Sequence, residues 1–296
     1  MSARLDYFDE YRPLLFSIAY RMLGSVMDAE DMVQEAFLRW QNAPAGDVHS
    51  PKAYLVTVVT RLCLDQLKSA RSRREEYIGP WLPEPLVTEG RQEVAEAVML
   101  SESLSMAFLV MLESLTPTER AVFLLREVFD YEYREIADIL DKSEEAVRQM
   151  AHRARGHVQA RRPRFHASRE QTQRLLLRFS ETLATGDMTG LLALLAPDVT
   201  VWSDGGGKVT AARKPVQGRE RVARFMLGLM RTAPPGFTPR LAEINGQPGI
   251  IGYVDGQPVL TLTLDVAEDS ITGVRFVLNP DKLRNLPTGT GVSRAS

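Results

Sequence analysis

The first part of the chain, from residue 5 to residue 75, carries its apolar positions at helical spacing. In "DAEDMVQEAFLRW", Ala29, Met32, Val33, Ala36, Phe37 and Trp40 fall at i, i+3, i+4, i+7, i+8 and i+11, one continuous stripe. Ser25 followed by Asp28 suits the start of that helix. The pattern breaks over "QNAPAGDVHSP" and resumes at Pro51, a residue suited to a first helical turn. The next helix runs through "KAYLVTVVTRLCLDQLKSARSRREE", with Tyr54, Leu55, Val58, Leu62 and Leu67 on its apolar side. Residues 79 to 103 read as a linker, because "GPWLPEPLVTEG" holds three prolines and two glycines, too many for a packed element. Helical spacing returns in "RQEVAEAVMLSESLSMAFLVMLESL".

The stretch from Leu115 to Arg162 has the sharpest local grammar. Thr116, Pro117 and Glu119 mark a helix start. "YREIADIL" is a short helix, "DKS" a three-residue turn, and Ser143 can cap the helix that follows. That helix buries Val147, Ala151, Ala154 and Val158 and projects Glu145, Arg148, Gln149, His152 and Arg153 from the other side. Two helices, a tight turn and a second helix rich in Arg and Gln predict a helix-turn-helix. Arg and Gln can bond base edges bidentately, and trailing arginines can meet phosphates. A helical hairpin inside a bundle is the plain alternative.

Beyond "RPRFHASRE" the period changes. "QTQRLLLRFSETLATGDMTGLLALLAPD" predicts two helices, and "VTVW", "PRLAEI", "GIIGYV", "PVLTLTLDV" and "SITGVRFVL" predict strands. The helix "RERVARFMLGLMR" interrupts them, and Asp255-Gly256 between apolar runs signals a hairpin. The expected architecture is multidomain. An all-α domain spans 1–78, a flexible acidic linker 79–104, an all-α helix-turn-helix domain 105–166, and an α+β domain 167–296 whose helices cover one face of a curved antiparallel sheet. Phe225, Met226, Met230 and Phe276 either fill the interior of that last domain or leave it open.

Composition narrows the function classes. A length of 296 residues suits two or three domains. The one cysteine, Cys63, excludes an internal disulfide and a cysteine zinc cluster, and it reads as a small core residue. No apolar run approaches the roughly 20 residues that span a bilayer, and "MSARLDYFDEYRP" lacks the apolar region of a secretory signal, so a cytoplasmic protein is expected. The net charge of −2 conceals segregation. Six arginines and no acid lie between Arg148 and Arg164, and five basic residues with one acid, Asp65, between Arg61 and Arg74. Six glutamates lie between Glu84 and Glu113. Two basic segments flanking an acidic one predict two contacts with a polyanion.

These motifs carry a family resemblance. "DAEDMVQEAFLRW" with its following basic helix resembles region 2 of the extracytoplasmic-function (ECF) sigma factors, and "LTPTERAVFLLREVFDYEYREIADILDKSEEAVRQMAHRAR" resembles region 4. The remaining 130 residues resemble a SnoaL-like cone, and "DGGGK" with "NPDKL" (279–283) matches a SigJ-type subgroup bearing that extension. The resemblance implies that Asp28, Asp31, Gln34 and Glu35 dock on core RNA polymerase. The loop from Gln41 to His49 and the helix from Pro51 to Arg74 would melt and hold the −10 promoter element, with Arg61, Lys68, Arg71, Arg73 and Arg74 as strand contacts. Glu145, Arg148, Gln149, His152, Arg153 and Arg155 would read the −35 element. No catalytic residue, cofactor or metal is expected.

"WSDGGGK" (202–208) is the motif whose role stays open. It lacks the GxxxxGK[ST] spacing of a phosphate cradle, since Val209 follows Lys208. No histidine lies beyond His166, which excludes histidine-based acid–base chemistry in the cone; Asp204, Asp255 and Asp265 remain. A tight turn accounts for one or two glycines but not three. The expectation is a regulatory contact. Asp204, Gly205, Gly206, Gly207 and Lys208, with Asn279, Pro280, Asp281 and Lys282, would rest against the DNA-binding domains or their linker as a tethered regulator. Two rivals stand beside this reading: a helix-turn-helix regulator whose cone senses a small molecule, and an enzyme fused to a DNA-binding module.

Overall fold

A computed structural model of the chain describes residues 2–44, 48, 50–75, 77–87, 104–160 and 167–289. The chain divides into two compact units. One comprises residues 1–76, 90–104 and 108–162, the other 77–89, 105–107 and 163–296.

The first unit opens with helices α1 (Ser2–Leu23), α2 (Val26–Asn42) and α3 (Pro51–Glu75). Ser25 caps α2, its hydroxyl accepting from the Asp28 N–H at 3.2 Å. The predicted stripe packs inward through Ala29, Val33, Ala36 and Trp40. The Trp40 indole donates to the Arg4 carbonyl at 2.8 Å, and Arg4 donates to the carbonyls of Trp40, Gln41 and Ala43, which ties the end of α2 to the start of α1. On α3 the fully buried positions are Leu55, Val56, Val59, Thr60, Cys63 and Leu67, while Tyr54, Val58 and Leu62 are half-buried. The buried arc is rotated from the predicted one because α3 packs on α1 and α2 and also on two helices from the second half of the unit. Cys63 is a core residue whose thiol is pushed up by burial.

That second half contains most of α4 (Met106–Leu112), whose first two residues belong to the other unit, then α5 (Pro117–Phe123), a π-helical turn (Leu124–Val128), α6 (Tyr133–Leu140) and α7 (Glu144–Gln159). Thr116 and Glu119 form a reciprocal capping box on α5. Asp141 takes the left-handed conformation that ends α6, and Ser143 caps α7. Val147, Met150, Ala151, Ala154 and Val158 seat α7 on α5 and α6. Two buried arginines join the halves. Arg120 on α5 donates to the Met22 carbonyl of α1 at 2.6 Å and to Glu113 at 2.8 Å. Arg21 on α1 bonds Ser17 and lies 5.5 Å from the Phe129 ring. Burial lowers both guanidinium pKa values to about 10.

The second unit runs α8 (Arg169–Thr185), α9 (Met188–Leu194), β1 (Leu195–Asp204), β2 (Val216–Gln217), α10 (Arg219–Arg231), β3 (Thr238–Ile244), β4 (Gln247–Val254), β5 (Gln257–Ala267), β6 (Ser270–Val277) and α11 (Pro280–Leu283). Its sheet order is β2-β1-β6-β5-β4-β3. Hairpins join β3 through β6, with positive φ at both Asn245-Gly246 and Asp255-Gly256. The expectation of a wholly antiparallel sheet is corrected at one pair, because β1 runs parallel to β6. A crossover containing α10, not a tight turn, separates β1 from the meander, so no hairpin fixes its direction. Phe179, Leu191, Val201, Met226, Leu262 and Phe276 belong to the apolar core between helices and sheet. Of the four residues weighed for that interior, Phe225 packs partly buried against the core and Met230 is 38 % exposed.

The expectation of a flexible linker over 79–104 is corrected for its first part. Residues 82–86 are buried in the second unit, with Leu82 and Leu86 in its core. Prolines there exclude helix and ladder but leave apolar side chains free to pack. Residues 88–103 lie outside the described residues.

Candidate nucleic-acid and partner interfaces

Helix α7 presents Glu145, Arg148, Gln149, His152 and Arg153 to solvent, with Arg155 half-buried beside them. Its arginines are held. Arg148 pairs with Glu144 one turn back, and Arg153 Nε donates to Glu119 Oε1 at 3.1 Å. Arg155 donates to Glu127 at 2.9 Å and to the Tyr133 hydroxyl at 2.8 Å. Burial pushes the Glu119 carboxyl up, but hydrogen bonds from Thr116 and Arg153 outweigh it and leave the group below its ordinary value. The capping box of α5 therefore also orients an arginine of α7. Arg161, Arg162 and Arg164 lie outside the described residues.

On α3, Arg61 donates through Nε to the Ile139 carbonyl at 2.9 Å and through Nη2 to the Asp138 carbonyl at 3.3 Å, both in the last turn of α6. Those carbonyls have no intrahelical donor, and a cation there complements the helix dipole. Lys68 pairs with Asp65 at 3.0 Å on the exposed side of α3. The side chains of Arg71, Arg73 and Arg74, and residues 45–47 and His49 of the preceding loop, lie outside the described residues. On α2, Asp31 and Gln34 are exposed, Asp28 accepts from Gln66 at 3.4 Å, and Glu35 pairs with Arg39 at 2.9 Å. Met27 and Leu38, 48 % and 47 % exposed, lie on the same stripe as Asp31 and Gln34, at i−4 and i+7 from Asp31. Neither residue is among the contacts expected from the sequence.

The glycine loop of the second unit surrounds a saturated carboxylate. Asp204 is 0 % exposed. Its side chain accepts from the Leu82 N–H at 2.8 Å, the Gly206 N–H at 3.1 Å, Lys282 Nζ at 2.7 Å and the Tyr77 hydroxyl. Asn279 donates to the Tyr77 oxygen at 3.0 Å and caps α11 by accepting from the Asp281 N–H. Lys282 also lies 4.3 Å from the Trp81 ring and 5.1 Å from that of Tyr77. Burial, then the bond to Asp204, pushes the Tyr77 phenol well up. Farther along, Glu84 accepts from Asn285 at 3.0 Å, and Leu86 exchanges two hydrogen bonds with Asn245. Residues 77–87 are thus pinned to this unit from the glycine loop to the end of β3.

The glycines answer to this packing. A Cβ on Gly206, where φ is +59°, would lie 2.3 Å from Asn279 Nδ2, and one on Gly207, where φ is +72°, 2.9 Å from Ile78 Cδ1. Lys208 does not face residues 77–87; it pairs with Asp281 in the same unit, and Lys282 supplies the cation beside Asp204. Pro280 opens α11 at its first position. Alanine at Gly206 is expected to cost about 1–3 kcal/mol in chemical denaturation, and more than alanine at Gly186. That residue ends α8 at φ +71° with nothing within 4 Å of a built Cβ, so it reports backbone strain alone. Equal losses would deny the Asn279 contact.

Comparison with known proteins matches the descriptions "Sigma-70 region 2" to residues 7–73, "Sigma-70, region 4" to 105–158 and "SnoaL-like domain" to 176–278. The chain is 38 % identical to the ECF RNA polymerase sigma factor SigJ of Mycobacterium tuberculosis, over 96 % of this chain and 97 % of that protein. The chain belongs to the ECF sigma factors. It is also 34 % identical to the probable ECF sigma factor SigI of the same species, over 95 % of each. The crystal structure of M. tuberculosis SigJ superposes with a TM-score of 0.77 at 37 % identity, covering 94 % of this chain and 97 % of that one.

In this sigma factor the first unit therefore holds regions 2 and 4, and family membership leaves the stand-alone regulator unsupported. The three cone aspartates weighed for chemistry are engaged separately. Asp204 holds residues 77–87, Asp255 shapes the β4–β5 turn, and Asp265 pairs with Arg275, whose guanidinium lies 4.7 Å from the Trp202 ring. Among the described residues no helix is long and apolar enough to cross a membrane. Sequence reasoning missed Tyr77, Trp81, Leu82, Glu84 and Asn245. The available signal was a Trp and two Leu in a segment classed by its prolines; Tyr77 falls in the expected all-α domain 1–78, whereas it belongs to the second unit.

Proposed function

We propose that the SnoaL-like unit is a tethered regulator that restrains the sigma factor by holding residues 77–87. Sigma factors bind core RNA polymerase and promoter DNA, and two DNA-binding regions joined by a linker must reach two promoter elements. Anchoring eleven residues of that linker shortens the chain free to span them. The observation that carries this reading is buried Asp204, with donors from Tyr77 and Leu82 on one side and from Lys282 on the other. A tether keeps such a regulator at roughly millimolar effective concentration, so a contact of modest strength suffices. The cone works here as a contact module rather than a catalyst, in the cytoplasm with the polymerase. Asp28, Asp31, Gln34 and Glu35, with Met27 and Leu38, form the polymerase face. Arg61, Lys68, Arg71, Arg73 and Arg74 serve the −10 element, and α7 serves the −35 element. Bonding of Arg61 to α6 is a resting arrangement that DNA must displace.

A reversible clamp tests the regulation. A Cβ on Gly207 would lie 3.2 Å from that of Ile78, near the roughly 3.5–4.5 Å of a disulfide. Native Cys63 is buried and does not compete. Oxidised Ile78→Cys/Gly207→Cys protein is expected to lose run-off transcription with core polymerase and to regain it with reductant. Equal transcription from the two forms would remove the regulatory role from this contact.

A further inference from the structure

The π-helical turn at Leu124–Val128 follows α5. Its i+5 bond, Phe129 N–H to the Leu124 carbonyl at 3.0 Å, adds a residue to the helix after α5. Arg126 and Glu127 both lie in that turn, and both converge on the start of the helix-turn-helix. Arg126 donates to the Tyr131 carbonyl at 2.8 Å, and its guanidinium lies 4.9 Å from the Tyr133 ring. Glu127 accepts from Arg155. Tyr133, the first residue of α6, then meets three arginines. Arg148 lies 4.4 Å from its ring, Arg126 lies near the same ring, and Arg155 bonds its hydroxyl at 2.8 Å.

We infer that Tyr133 is a positioning residue for promoter readout, setting Arg148 through its ring and Arg155 through its hydroxyl. The inference rests on the assignment of α7 to the −35 element. Arg148 lies in the first half of α7, the part of a recognition helix that meets base edges. Arg155 lies two turns on, where a cation meets the phosphate backbone. An arginine has several rotatable bonds, and bidentate readout needs its planar fork in one orientation. An aromatic face attracts the guanidinium without occupying its five N–H donors, so Arg148 stays oriented and able to bond a base. The Tyr133 hydroxyl takes a single donor from Arg155 and leaves others for a phosphate. Arg126, itself held by the Tyr131 carbonyl, completes a cluster in which the π turn, α6 and α7 keep a fixed relation. Arg148 also pairs with Glu144 and Arg155 with Glu127. DNA can displace those exposed carboxylates while the tyrosine contacts persist.

The two halves of the tyrosine separate in experiment. With holoenzyme assembled from the full chain and core polymerase, promoter affinity is measured against salt and against single −35 base substitutions. Tyr133→Phe keeps the ring. It is expected to hold base discrimination within about twofold while the slope of log affinity against log salt falls by about 1, one phosphate contact. Tyr133→Leu is expected to lose the slope and also to cut discrimination at one −35 base pair by about tenfold, within the range of a bidentate contact. Arg148→Ala and Arg155→Ala set the reference for each loss. If those two variants change discrimination and slope while both Tyr133 variants match the wild type, the positioning role is overturned and α7 remains the reader. If neither arginine variant changes either quantity, the −35 assignment itself fails and the inference falls with it. A purely structural Tyr133 would lower affinity equally on all −35 sequences without changing the slope.

Discussion

Replacing Asp204 with alanine is expected to expose residues 77–87 to protease and to lower the stability of the SnoaL-like unit by about 3–5 kcal/mol, the scale for breaking a buried ion pair from one side. The magnitude follows from what is left behind. Lys282 is 13 % exposed in its side chain and would face the Tyr77 and Trp81 rings without its carboxylate. The Leu82 N–H would lose its acceptor in a buried segment, and an unsatisfied buried donor costs about 1–3 kcal/mol. The Tyr77 hydroxyl would keep only Asn279. Limited proteolysis followed by mass spectrometry reads the first effect, as new cleavage at Tyr77 or Trp81. Denaturation of the SnoaL-like unit reads the second. Asp204→Asn retains an acceptor for Leu82 but removes the charge opposite Lys282, and its loss should be intermediate. Uncut 77–87 in Asp204→Ala protein would show that apolar packing of Leu82 and Leu86 suffices to hold the segment.

The second large effect falls in the other unit. Arg120→Ala removes a cation that is 3 % exposed and bonded to the Met22 carbonyl and to Glu113. The variant leaves an orphaned carbonyl, removes the ion pair to Glu113 and opens a cavity, together worth about 3–5 kcal/mol. Met22 belongs to region 2 and Arg120 to region 4, so the loss should appear as faster hydrogen exchange in both α1 and α5. Arg120→Lys keeps one charge but not the fork, and should recover part of the loss. Exchange that rises in α5 alone would mean the arginine serves its own helix and does not hold the two regions together.

Where the sequence was legible, a short-range rule did the work. The stripe from Ala29 to Trp40, the Thr116–Glu119 capping box and the Ser143 cap each depend on residues within a few turns, and their helices form as expected. The −35 candidates were legible as a face of α7, but their partners were not. Arg153 meets Glu119, 34 residues away, and Arg155 meets Glu127, 28 residues away, distances at which periodicity carries no information. Residues 79–87 were misjudged because proline and glycine content reports the lack of a regular element, not the lack of packing. The parallel β1–β6 pair was hidden for a related reason, since alternation marks a strand but not its direction. The glycine loop was legible as needing close approach. Which cation serves Asp204 was not, because Lys208 and Lys282 are equally basic in sequence and only the fold turns Lys282 inward.

The most direct test of the account is run-off transcription by core polymerase with wild-type chain and with Asp204→Asn, at matched concentrations on a cognate promoter. If holding 77–87 restrains the sigma factor, Asp204→Asn should initiate several-fold more transcripts from the same start site. Equal or lower transcription, with cleavage showing that 77–87 has been released, would contradict restraint by this contact.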